Sequence, residues 1–256
     1  MEIIKNTIKV GNSAGVLLPK KWLYSQVKII LEPLNIERDV IELLINEDIL
    51  KDVLGVYLVG SYARKEQGIE SDIDIIAITS NISKHIKAGN YDINCITQKE
   101  IEEQLENNAL PIIPMFKEGK PIINEELIKK YASADLTKKN IKYYIESAGS
   151  AMELVNKDIA LAEKTNTLVS DASAYSLILR LRTIYIIECL KKRKFWKKSN
   201  FLKLIKKISG SLIAYERYTC SKNKNTLDYK LPITEAKKLV EYINKENLVL
   251  EKWLKE

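Results

Sequence analysis

Residues 60–75 read GSYARKEQGIESDIDI and directly follow the apolar run Val53-Leu54-Gly55-Val56-Tyr57-Leu58-Val59. An apolar run of that length, closed by Gly-Ser, reads as a buried strand ending in a turn. The spacing predicts a strand over Leu54–Val59, a short helix over Ser61–Gln67 and a second strand over Asp72–Thr79. Working outward, Ile36–Asp52 carries apolar residues at helical spacing (Ile36, Val40, Leu43, Leu44, Leu50). Tyr91–Ile96 reads as a further strand. Thr97-Gln98-Lys99-Glu100 resembles a capping box opening a helix to about Asn107. Glu118-Gly119-Lys120-Pro121 reads as a turn. Alternation of this kind builds an α/β layer over residues 33–134.

The chemistry expected of residues 60–75 follows from residue type. Gly60 lets backbone approach a phosphate, and free N–H groups at a helix start favour negative charge. Ser61 adds a hydroxyl donor, and Arg64, one turn on, brings a planar fork of donors to the same anion. Asp72 and Asp74 are two apart on a strand, so both carboxylates leave one face, roughly 6–7 Å apart. Two neighbouring carboxylates repel unless a cation lies between them. Mg²⁺ suits all-oxygen ligands and is shared with substrate phosphates. A third carboxylate would complete the site. Asp92, in Tyr91-Asp92-Ile93-Asn94, is the candidate, since an unpaired acid between large apolar residues is costly. Its role would be to bind a metal and accept the proton of an attacking hydroxyl. An acid that follows Gly89-Asn90 can also belong to a loop. A lone Asp-x-Asp is usually surface charge; the order strand, turn, helix, strand is what restricts the reading.

These residues resemble the signature of the DNA polymerase β superfamily of nucleotidyltransferases, in particular the minimal and kanamycin-type members. The matching elements are Gly60-Ser61-Tyr62-Ala63-Arg64, Ser71-Asp72-Ile73-Asp74-Ile75 and Tyr91-Asp92-Ile93. Lys65 departs from the pattern, because many members have glycine there. The resemblance covers about a hundred residues. It implies transfer of a nucleoside monophosphate from an NTP, with ATP the expected donor, to a hydroxyl, with Mg²⁺ as cofactor and pyrophosphate as product. It also implies that Asp72, Asp74 and Asp92 bind metal, that Asp92 serves as base, and that Gly60, Ser61 and Arg64 hold the β- and γ-phosphates.

Residues 1–31 read as strands, Glu2–Val10, Gly15–Leu18 and Val27–Leu31, with Gly11-Asn12-Ser13 as a turn and a short helical turn starting at Pro19. This segment is too small to bury a core alone. Ile8–Leu31 is similar to the AbrB-like swapped-hairpin family, whose members dimerise and in many cases bind DNA. The resemblance makes Lys9, Asn12, Lys20 and Lys21 candidate phosphate contacts and makes a homodimer the expected state. DNA binding and plain dimerisation are weighed equally.

Residues 135–256 read as helices: about 135–163 capped by Asp135, 170–192 capped by Ser170 or Asp171, 197–219 and 234–254, which pack as a bundle. The expected fold is therefore α+β. It has a β segment over 1–32, a nucleotidyltransferase domain with a mixed sheet over 33–134, and a helical domain over 135–256. Some bundles beside such domains resemble HEPN ribonucleases, but no histidine follows Arg180 or Arg182, so RNA cleavage is not expected. The stretch KKRKFWKK (191–198) can stack on nucleic acid or pack Phe195 and Trp196 inward.

The net charge of +7 is unevenly spread: 15 Lys+Arg against 3 acids over 180–230, and 11 against 18 over 33–134. The acidic middle is where metal ions would be wanted; the basic helices either steer a polyanion or are solvated faces. A single histidine, His85, argues against Ser-His-Asp and metalloprotease chemistry. Three dispersed cysteines fit reduced thiols and a cytoplasmic location. MEIIKNTIKV has no secretory h-region, and no apolar run approaches bilayer-spanning length, so no membrane association is expected. The acceptor could be a small molecule such as an aminoglycoside-like sugar, a protein Tyr, Ser or Thr, or RNA, the first two being favoured. The alternative reading is a DNA-binding regulator or antitoxin whose nucleotidyltransferase domain senses nucleotide without catalysis.

Overall fold

The computed structural model describes residues 3, 5, 7–11, 13–30, 34–68, 71–223 and 229–255. It is α+β and falls into two compact units, Met1–Ile36 and Glu37–Glu256.

The first unit holds a hairpin of β1 (Ile8–Val10) and β2 (Ser13–Gly15), paired antiparallel with Ile8 opposite Gly15. Gly11 turns it with φ +59°, a conformation that glycine adopts without steric cost. A 3₁₀ turn over Lys20–Trp22 follows Pro19. The third expected strand is not found: among the described residues, 27–30 pair with nothing. Val10, Leu17, Leu23, Tyr24, Ile29 and Ile30 are exposed, as expected of a unit with no room for a core.

Helix α1 (Ile36–Asn46) starts at the boundary residue and runs into the second unit. This helix stops six residues short of the expected end, and Leu50–Asp52 form a 3₁₀ turn that leads into the sheet. The sheet has five strands: β3 (Val53–Leu58), β4 (Ile73–Thr79), β5 (Lys84–Ala88), β6 (Tyr91–Thr97) and β7 (Lys120–Ile123), in the order β5-β6-β4-β3-β7. Only β4 and β6 are parallel; the other pairs are antiparallel. The central strands are near-continuous apolar runs, Val, Leu and Tyr in β3 and Ile and Ala in β4, because both faces are covered. The edge strands β5 and β7 are short and polar, and neither was expected. Glu118–Pro121, read as a turn, instead runs into β7.

Between β3 and β4 lies a four-residue helix, α2 (Gly60–Ala63), shorter than the expected Ser61–Gln67. It ends where Lys65 takes φ +58°. The family pattern's glycine suits that conformation better than lysine does. After β6 the Thr97 capping box forms as expected: the Thr97 hydroxyl accepts from the Glu100 amide, and the Glu100 carboxylate accepts from the Thr97 amide. It opens α3 (Gln98–Asn107). Two further helices, α4 (Ile113–Glu118) and α5 (Glu125–Ala132), flank β7. Tyr57, fully buried on β3, is satisfied by donating to the Asn124 carbonyl at 3.0 Å.

The helical part comprises α6 (Lys138–Thr165), α7 (Asp171–Lys191), α8 (Lys198–Ser209), α9 (Ile213–Asn223) and α10 (Ile233–Lys255). Thr137, rather than Asp135, caps α6. Ser170 caps α7 by accepting from the Ser173 amide. The single helix expected over 197–219 is broken at Gly210, whose φ of +99° ends α8. The sheet part and the helical part each have an apolar core. One gathers Tyr57, Ile76, Ile78, Ile101 and Phe116; the other gathers Leu177, Leu181, Ile184, Phe201 and Leu239. Cys95, Cys189 and Cys220 are free thiols. Among the described residues no helix is long and apolar enough to cross a membrane.

Candidate active site

The parallel register of β4 and β6 sets Asp74 directly beside Asp92, with Cα partners running Ile73–Tyr91, Asp74–Asp92 and Ile75–Ile93. Neighbouring strands stand about 4.8 Å apart, so the two carboxylates leave the sheet side by side. Asp74 is the only residue of β4 that is not fully buried. A charge on an otherwise apolar central strand has a chemical reason to be there. Asp72 lies just before the strand, which starts at Ile73, and is 49% exposed. The Ile73 amide donates to the Asn90 carbonyl at 2.7 Å, fixing Asp72 against the β5–β6 turn.

Asp72 and Asp92 converge on one cation. Lys87 Nζ lies 3.7 Å from Asp72 Oδ2 and 3.8 Å from Asp92 Oδ2. His85 Nε2 is 2.8 Å from Asp92 Oδ1. His85 and Lys87 come from β5, two residues apart and on one face, so the edge strand supplies a polar rim to the carboxylates. Sequence reading assigned neither residue a role in the site; a His-x-Lys alternation on an edge strand was the available signal. Among the described residues no group of three or more His, Cys, Asp or Glu is drawn together closely enough to hold a metal ion. The donors themselves are hard carboxylate oxygens of the kind Mg²⁺ takes. A single ammonium within 4 Å of both Asp72 and Asp92 marks a place where a cation is wanted.

Gly60 sits against Asp74. It has φ +71°, and a Cβ there would collide with the Asp74 carboxylate. Gly60 is therefore required twice, once by conformation and once by space. Gly60→Ala is expected to lower stability by about 2 kcal/mol, from left-handed strain plus displacement of Asp74. Urea unfolding of the variant measures it, and an unchanged midpoint would refute the close packing.

Glu118, at the end of α4, anchors this turn from the other side. Its Oε1 accepts from the Gly60 amide at 3.1 Å and from Arg64 Nη1 at 2.6 Å. Arg64 Nε also donates to Glu66 Oε2 at 3.0 Å, and its Cζ lies 4.4 Å from the centre of the Trp196 ring. Arg182 approaches the same ring at 5.2 Å. The Arg64 and Glu118 side chains are only 15% and 12% exposed. Burial pushes the Glu118 carboxyl above its usual range, while Arg64 and the Gly60 amide pull it back down. Arg64, expected to grip phosphate, thus spends two of its donors on carboxylates. Ser61 is half-buried at the start of α2. Trp196 packs inward, but Phe195 beside it is 71% exposed, so the two aromatics of KKRKFWKK separate.

A scan of protein families matches residues 40–146 to the nucleotidyltransferase domain family. The chain contains a nucleotidyltransferase domain. The match spans α1 through the start of α6 and takes in Gly60, Asp72, Asp74, Asp92 and Glu118. Among solved structures, the chain is similar to a spectinomycin adenyltransferase from Enterococcus faecialis, solved with ATP and spectinomycin. That pair is 12% identical, covering 83% of this chain and 98% of that one, with a TM-score of 0.48. A nucleotidyltransferase-like protein from Exiguobacterium sibiricum 255-15 is 12% identical over 86% of this chain and 75% of that one, TM-score 0.35. A toxin–antitoxin structure with AMP-PNP is 18% identical over 48% of this chain and 98% of that one, TM-score 0.28. No curated protein matches the chain in sequence. Of the candidate nucleic-acid contacts in the first unit, Lys20 and Lys21 are exposed on the 3₁₀ turn, Lys9 lies on β1, and Asn12 falls outside the described residues.

Proposed function

We propose that the nucleotidyltransferase domain transfers a nucleoside monophosphate from an NTP, with ATP as the first donor to test, to a hydroxyl of a small molecule or protein in the cytoplasm. The observation that carries this reading is the pairing of Asp74 with Asp92 across two parallel strands, with Asp72 and Asp92 sharing one ammonium. Asp72, Asp74 and Asp92 are the residues that would hold Mg²⁺, which when bound supplies charge neutralisation at the attacking and leaving oxygens. Asp92 accepts the acceptor's hydroxyl proton. The freed oxygen pair forms the bond to the α-phosphorus, and the bond to pyrophosphate breaks with its electron pair on the leaving group. Gly60 and Ser61 shape the turn for the triphosphate. Arg64, tied to Glu66 and Glu118, holds that turn in place and adds positive charge beneath it.

The test is incubation of the full chain with α-³²P-labelled ATP, CTP, GTP or UTP, Mg²⁺, and aminoglycoside-type or protein acceptors. Label is expected on the acceptor with at least one NTP, and EDTA should remove it. Absence of label with every NTP and acceptor, together with salt-sensitive DNA binding, would favour the second reading.

That second reading is a DNA-binding regulator or antitoxin, acting through the first unit. Its support is the β1–β2 hairpin, a two-stranded sheet of its own, with exposed apolar side chains in the same unit and the neighbouring Lys20 and Lys21. Such a unit is completed by a second copy, so a homodimer belongs to either reading. The two are compatible if the hairpin recruits the enzyme.

A further inference from the structure

A cavity of about 710 Å³ lies within the second unit, walled by α4, the segment after α5, the first turns of α6 and the ends of α7 and α10. Its Glu118 wall adjoins the proposed catalytic turn, where the Gly60 amide donates to Glu118 Oε1 at 3.1 Å. Its lining residues include none of Gly60, Asp72, Asp74 and Asp92. An acceptor hydroxyl at Asp92 and a ligand in this cavity therefore occupy different places.

We propose that this cavity is a second binding site, for a small anion with a flat apolar body of the aryl carboxylate or aryl phosphate class. Its volume is that of a site for a small organic molecule. Its walls combine apolar and aromatic surface, including Trp196, Trp253 and Phe195, with an excess of positive charge. Two of the charged wall residues are already engaged. Lys117 Nζ donates to the Ala132 carbonyl at 2.8 Å, and Glu118 accepts from Gly60 and Arg64. That leaves Lys191, Arg193 and Lys194 facing the single carboxylate of Asp135 among the lining residues. None of the three cations has a carboxylate within 4 Å among the described residues; Lys191 Nζ instead lies 4.7 Å from the centre of the Trp253 ring.

Lys191, in the last turn of α7, complements the helix dipole. Arg193 and Lys194 lie past the helix end, so the dipole does not account for them. Clustered like charges repel, and an anion between them relieves the repulsion. Phe195, 71% exposed, offers an open ring on which a flat body stacks, while cations already lie over the Trp196 and Trp253 rings. A polycationic amine is disfavoured by the same three side chains.

The chain has three tryptophans, and two of them line the cavity. Indole N–H resonances in ¹⁵N–¹H spectra, assigned with Trp22→Phe, Trp196→Phe and Trp253→Phe, read occupancy directly. Titration with 2-naphthoate is expected to shift the Trp196 and Trp253 signals saturably and leave Trp22 in place. Neutral 2-naphthamide and cationic 2-naphthylmethylammonium should bind at least tenfold more weakly. The double variant Arg193→Gln/Lys194→Gln should lose about tenfold in naphthoate affinity, and Asp72→Asn should lose none. Absence of a saturable shift, equal affinity for the cationic analogue, or loss of binding in Asp72→Asn would each overturn the proposal. The titration uses neither nucleotide nor turnover, so it stands or falls apart from the proposed reaction.

Discussion

Asp92→Asn is expected to lower turnover of nucleotidyl transfer by about 10³-fold, the middle of the range for loss of a positioned general base. The amide keeps the shape and one oxygen toward His85 Nε2, now 2.8 Å from the carboxylate. It cannot take the proton of the acceptor hydroxyl. Asp92 is 30% exposed and sits at the start of β6, so little of the fold depends on its charge. The thermal midpoint should stay within about 2 °C, as for an exposed substitution away from the core. The kinetic split identifies the role. A base lost from the transition state lowers kcat and kcat/KM together, whereas a residue that only binds substrate raises KM. NTP affinity, measured by calorimetry without acceptor, should fall far less than turnover. A variant that retains more than a tenth of wild-type turnover removes Asp92 from the chemistry and leaves the register of β4 and β6 without a catalytic reading.

How much of this was legible in the sequence depends on how far apart the interacting residues lie. The β3–α2–β4 passage was readable because each signal is local: an apolar run, Gly-Ser, then Asp-x-Asp between isoleucines. The Thr97 capping box was readable for the same reason, since both its bonds span three residues. The pairing of Asp74 with Asp92 needed only two neighbouring strands. What escaped is non-local. Glu118 meets Gly60 and Arg64 across 58 and 54 residues, and nothing around it in sequence announces a buried carboxylate. Arg64 was read as a phosphate fork because the same guanidinium geometry serves carboxylate and phosphate alike. The edge strands β5 and β7 were missed because five- and four-residue segments with lysine and proline carry little strand signal. The break at Gly210 was missed because apolar spacing continues on both sides of it, and only the positive φ ends the helix.

Glu118→Ala is expected to cost about 3 kcal/mol of stability, the low end for removing one partner of a buried ion pair, because Arg64 keeps Glu66. The loss has two parts: the Gly60 amide loses its acceptor, and the Arg64 guanidinium loses its stronger partner. Glu118→Gln separates them, since its oxygen can still accept from Gly60 while the charge is gone. The pH dependence of the difference then decides whether burial or the ion pair dominates. Burial raises the carboxyl's pKa in the folded chain above its unfolded value, so the folded state binds this proton more readily. Stability from that bound proton is complete below the unfolded carboxylate range and fades as pH rises through the raised folded value. The wild-type advantage over Glu118→Gln should therefore shrink as pH rises from the ordinary glutamate range towards neutrality, in urea unfolding at matched ionic strength. An advantage that grows with pH would mean that Arg64 outweighs desolvation, and that the turn under the proposed triphosphate is held by charge attraction rather than by the hydrogen bond to Gly60.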